Sequence, residues 1–124
     1  MSSTNLKLDQ RDISFAISEW LELGKLNNSE KFAEFDQDTL EMMVNEGIRF
    51  AIEVILPTRT ESDRKGCRME EGRVKVSECL HKPFQKAYEL GWASISDSPE
   101  YGGMGAPATI GLIVSEAING ANLG

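Results

Sequence analysis

Glu78, Cys79 and His81 lie within four residues in "SECLHKPF". A thiol, an imidazole and a carboxylate are the groups that build a Cys/His nucleophilic centre, where the base must reach the thiol proton. Residues two apart on a helix point away from each other, so Cys79 and His81 do not converge by themselves. Zinc asks for about four ligands. Two cysteines, Cys67 and Cys79, and one histidine without CxxC spacing fall short of that. Acids are plentiful, at 20 Asp and Glu, but no pair stands out. Glu116 has largely apolar neighbours and reads as a helix-surface or hydrogen-bonded carboxylate. "RMEEGR" reads as a charged turn. The residues therefore predict no catalytic group and no metal ligand within the chain.

The other stretch with chemical potential is "DSPEYGGMGAP", Asp97 to Pro107. Its GGxG spacing matches neither GxGxxG nor GxxxxGK[ST]. It carries no Lys or Arg, and no strand is expected before it, so a phosphate cradle is disfavoured. A connector or a cavity wall fits better. Its glycines permit a tight turn, with positive φ expected at one or more of Gly102, Gly103 and Gly105. Pro107 is placed to start the helix that follows.

The surrounding elements read as helices. Residues 1–8 are polar and read as a disordered tail, with a domain from 9 to 124. In "RDISFAISEWLELGKL", Ile13, Ala16, Ile17, Trp20, Leu21 and Leu23 recur at helical spacing, with Asp9 or Asp12 as cap and Gly24 as stop. "NNSEKF" is a polar connector. A second helix runs from about Asp36 to Ile55, with Leu40, Val44, Ile48, Ala51 and Ile55 on one stripe, widened by Met43 and Ile52. Asp36 or Asp38 caps it, and Pro57 ends it. Gly47 in its middle costs up to ~1 kcal/mol against Ala, which a close helix crossing would explain.

"TRTESDRKGC" lacks periodicity and reads as an ordered loop, and "CRMEEGRVKV" as a small hairpin around Glu71-Gly72. A third helix starts at Cys79 or later, because Pro83 is tolerated only in a first turn, and it ends at Gly91. A fourth sets Ile110, Ile113, Val114, Ala117, Ile118 and Ala121 on one face. Trp20 and Trp92 are expected in the core or at helix contacts. The fold class is all-α: an orthogonal or up-down bundle of about four main helices, with one hairpin and one glycine-rich loop.

Composition bounds the function. The 124 residues suit one core, and 40% hydrophobic with 27% charged residues is an ordinary globular balance. A net charge of −7 argues against nucleic acid, which requires a clustered basic face. No apolar run approaches the ~18 residues of a membrane span, and the N-terminus lacks a signal-peptide core. Free thiols in a cytoplasmic protein are the default reading.

The order of five motifs carries a resemblance: "FAIEVILP", "SDRKG", "FQKAYELGW", "SPEYGGMGAP" and the apolar helix with "SEAINGAN". In this order and spacing, from Asp36 to Gly124, they resemble the N-terminal α-helical domain of the acyl-CoA dehydrogenase family. The added N-terminal helix and "GCRMEEGRV" resemble most the large subfamily typified by 3-methylmercaptopropionyl-CoA dehydrogenase. The third helix opens "SECLHKPF" where that subfamily has "P.GF", with the proline moved inward.

The resemblance implies a piece of a longer FAD-dependent enzyme that dehydrogenates an acyl-CoA thioester between Cα and Cβ and passes electrons to electron-transfer flavoprotein. It places FAD and the catalytic glutamate in a later β-barrel and C-terminal helical domain. The chain given would then supply pocket wall, bind no FAD and be inactive alone, and Glu116 would be structural. Asn122 and Leu123 would lie nearest the acyl pocket, and Gly102, Gly103, Gly105 and Pro107 would shape the loop. The parent is expected to be a homo-oligomer. The competing reading is a stand-alone helical module that binds a partner protein through its apolar faces.

Overall fold

The structure is a computed structural model that describes residue 6 and residues 8–123. Its centre is a helix, α2, at Gln37–Phe50. Asp36 precedes it in extended conformation and its carboxylate accepts the Thr39 N–H at 2.8 Å. This bond satisfies one of the donors that a helix start leaves open. Leu40, Val44, Ile48 and Ala51 form the expected stripe and are buried.

That stripe packs on α5, Ala108–Ala121, whose Ile110, Val114, Ala117 and Ala121 are buried in return. The two helices cross at Gly47, where a Cβ would sit 2.6 Å from a methyl of Val114. The absent side chain is what lets the backbones approach.

Both N-terminal helices end in wide turns, and this moves residues off their expected faces. The first, α1, runs Gln10–Phe15 and is capped by Asp9, whose Oδ1 accepts the Arg11 and Asp12 N–H groups. It continues into a π-helical turn, Ala16–Trp20, closed by the Leu21 N–H bonding to the Ala16 carbonyl. A turn with one residue more shifts the phase of everything after it. Ile17 stays buried, but Trp20 is 73% exposed and Leu21 also faces solvent. The expectation of Trp20 in the core therefore fails. Glu22, left-handed at φ 48°, stops this helix two residues before Gly24.

A second π-helical turn, Ala51–Ile55, follows α2. It brings Leu56 into the core, keeps Ile55 partly buried against it, and leaves Ile52 exposed. A π-turn and a proline are both ordinary causes of a helix kink, and here Pro57 follows directly. The chain does not leave the helical region there. It passes through a 3-10 turn at Leu56–Thr58 into a further helix, α3, at Arg59–Lys65. The expected loop at "TRTESDRKGC" is thus a helix, and the described residues hold five α-helices rather than four.

The hairpin forms as expected. Strands β1, Arg68–Glu70, and β2, Arg73–Lys75, pair antiparallel around Glu71 and Gly72, both at positive φ. Pro83 falls in the first turn of α4, His81–Glu89, and Gly91 closes that helix at φ 80°. Trp92 packs against the core beside Phe50. Of the expected tail, Leu6 and Leu8 also pack against the core. Its other residues lie outside those described.

Candidate functional site

The glycine-rich run Asp97–Pro107 forms a braced turn between α4 and α5. Ser98 caps a short 3-10 turn at Pro99–Tyr101. Gly102 and Gly105 then take φ 84° and 69°, as expected of this run. Gly103 is needed for another reason: a Cβ there would meet the Asp97 carbonyl. The loop folds back on 94–98 through Gly103 N–H to Ser98 O, Met104 N–H to Ser94 O, Gly105 N–H to Asp97 O and Ala106 N–H to Ile95 O, at 2.9 to 3.2 Å. Gly102, Gly103, Gly105 and Pro107 set the direction in which α5 departs, and none of them lines the groove that the loop borders. Pro107 sits one residue before the first helical residue, Ala108.

The segment so braced forms one side of a groove of about 790 Å³, with α4 and α5 as the other sides. That volume is within the range of small-molecule sites. Helix α4 contributes Pro83, Phe84 and Tyr88; α5 contributes Leu112, Ser115 and Asn119. Phe84 and Tyr88 are four residues apart and their rings lie 5.0 Å from each other. Phe84, Tyr88 and Leu112 are each more than half exposed. The polar members are three serines, two asparagines and Asp97, and no Lys or Arg is among the described residues that line it. An apolar occupant fits such walls. A nucleotide diphosphate does not, since nothing cationic meets it.

Asn122 closes the groove at the end of α5. Its Nδ2 donates to Thr58 Oγ1 and to Ser62 Oγ, both at 2.9 Å. Thr58 Oγ1 donates to the Ile55 carbonyl, and the Cys79 thiol to the Thr58 carbonyl. Asn122 thus ties α5 to the start of α3, and the Cys79 thiol ties the entry of α4 to the same Thr58. Leu123, the other residue expected near a pocket, is exposed and does not line the groove. Thr58 and Ser62 were missed because their segment was read as loop. The available signal was Thr58-x-x-Glu61 after a proline, with Arg64 and Lys65 before Gly66, a pattern of helix start and stop.

The Cys/His trio behaves as its spacing dictated. His81 is exposed at the first position of α4, while Cys79 turns toward Ser77 and Thr58. Glu116 is exposed on α5. A second hollow of about 410 Å³ lies across Trp92 from the first, lined by Met42, Met43, Phe50, Leu90 and Met104 among others. The Trp92 indole N–H between them is buried without a partner among the described residues. No described helix is long and apolar enough to cross a membrane.

Comparison with known proteins returns two relatives. A 3-methylmercaptopropionyl-CoA dehydrogenase of Ruegeria pomeroyi is 33% identical over 113 residues, 91% of this chain and 19% of the relative. A butyryl-CoA dehydrogenase of Syntrophomonas wolfei is 27% identical over 89 residues, 71% of this chain and 14% of the relative. The chain thus spans a fifth or less of the length of the curated relatives it matches. No family model matches it.

Proposed function

From a chain whose sequence is that of an acyl-CoA dehydrogenase segment, we propose that it is the N-terminal helical domain of an FAD-dependent acyl-CoA dehydrogenase. The observation that carries the reading is the 33% identity running along 91% of the chain. The complete enzyme would oxidise an acyl-CoA thioester between Cα and Cβ and deliver the electrons to electron-transfer flavoprotein. FAD would supply the redox chemistry from the β-barrel and C-terminal domains, as the resemblance implies, and the groove here, with no Lys or Arg among the described residues of its walls, offers the diphosphate no cationic partner. The role of these residues is shape. An apolar wall from α4 and α5, with its end held by Asn122, excludes water from whatever acyl or protein surface lies against it. Gly103 and Gly105 aim α5 along that wall.

The test is to express the complete reading frame around this segment and titrate it with a panel of acyl-CoAs. The complete protein is expected to be yellow and to bleach at the flavin band with at least one acyl-CoA. The 124-residue chain is expected to be colourless and inactive. Stoichiometric flavin on the short chain, or a complete protein that no acyl-CoA bleaches, contradicts the proposal.

A further inference from the structure

We propose that β1 is a self-association edge, along which two copies of the chain join their hairpins into one four-stranded antiparallel sheet. Every residue of both strands is exposed. A two-stranded hairpin without a covering layer is marginal in water, and three or more strands are the usual remedy. This hairpin is also two-faced. By alternation Met69, Val74 and Val76 share one face and Arg68, Glu70, Arg73 and Lys75 the other. Met69 and Val74 are 68% and 64% exposed, an apolar pair with nothing over it.

The register shows where a further strand can join. Glu70 pairs with Arg73 across a two-residue turn, so that pair exchanges the closing hydrogen bonds. Pairs alternate, so at Met69 the N–H and C=O point away from β2, and neither takes part in a backbone bond elsewhere among the described residues. Val74 is placed likewise on the other edge, and charge decides between the two edges. An antiparallel copy of Arg73-Val74-Lys75 centred on Val74 sets cations against cations. An antiparallel copy of Arg68-Met69-Glu70 centred on Met69 sets Arg68 against Glu70 and Glu70 against Arg68.

Charged residues usually guard an edge by repelling a second copy. Here the order Arg-x-Glu turns the guard into a match. Arg68 and Glu70 already pair within the strand at 2.6 Å, so both heads are on the required face. The two-fold axis passes between the two Met69 residues, as a closed symmetric contact requires. The joined sheet carries a continuous apolar face made of Val74 and Met69 from each copy.

Sedimentation equilibrium of the reduced chain is expected to show a concentration-dependent dimer. Arg68→Glu or Glu70→Arg places like charges opposite each other twice and should weaken it by about tenfold or more. The swap of both together keeps the order self-complementary and should restore it, which misfolding of the single variants cannot mimic. With Cys67→Ser and Cys79→Ser as background, Met69→Cys should oxidise to a covalent dimer, because directly opposite residues stand about 5.5 Å apart at Cα. Val74→Cys in the same background should not. A strictly monomeric chain overturns the proposal. So does a dimer indifferent to either single charge reversal, or a double swap that fails to rescue.

Discussion

Gly47 and Gly103 show how much one hydrogen can decide. A Cβ at 47 would meet Val114, a branched and buried side chain with no free end to move. Gly47→Ala gains helix propensity yet should lower stability by about 1–3 kcal/mol in urea unfolding, with most of it recovered by adding Val114→Ala. At 102 the surroundings are open but φ is 84°, so Gly102→Ala should cost about 1–2 kcal/mol from backbone strain alone. Gly103→Ala should cost more, because the obstacle there is the Asp97 backbone itself. The hydrogen bond from Thr39 holds the Asp36 carboxyl below the ordinary carboxylate range. A depressed folded-state value means that its stabilisation is present above that range and lost as pH falls through it. Asp36→Ala should therefore lower the melting temperature at neutral pH and flatten its fall in acid, as thermal scans across pH will show. At this scale the sequence was a good guide to Asp36 and Gly102, whose roles depend on a few neighbouring residues. It offered Gly47 only as a puzzle, because Val114 is far along the chain.

Elements were legible where a stripe was long and regular, as in α2 and α5. They were misread where the local turn changed. The π-turns at Ala16–Trp20 and Ala51–Ile55 each insert a residue into the helical phase, so Trp20 faces solvent and Leu56 joins the core beside the partly buried Ile55. No propensity scale marks those insertions. The loop reading of 58–67 failed because α3 is short and mostly polar, with no apolar stripe to betray it. It is held from outside, through Asn122 on Thr58 and Ser62. Asn122→Ala should cost about 1–3 kcal/mol, and hydrogen exchange should quicken in α3 before α2 or α5. Equal quickening in all three would mean that Asn122 serves the whole core rather than this junction.

For the whole molecule, the groove between α4 and α5 is the largest consequence of the assembly. Phe84 and Leu112 stand in it more than half exposed. Replacing both by serine should shift the stability of the 124-residue chain by less than about 1 kcal/mol, since little burial is lost. The same pair should lower the melting temperature of the complete protein, if that protein covers the groove. A complete protein as indifferent as the short chain would leave the groove open to solvent. The sequence by itself determined the class of fold, the central stripes, the hairpin turn and the similarity to acyl-CoA dehydrogenases, because each is written in neighbouring residues or in their order. The tertiary structure decided which hydrophobic residues stay outside, that "TRTESDRKGC" is helical, and that Asn122 joins α5 to α3. Those outcomes depend on pairs such as Gly47 with Val114 and Asn122 with Thr58, whose members meet only once the helices have crossed.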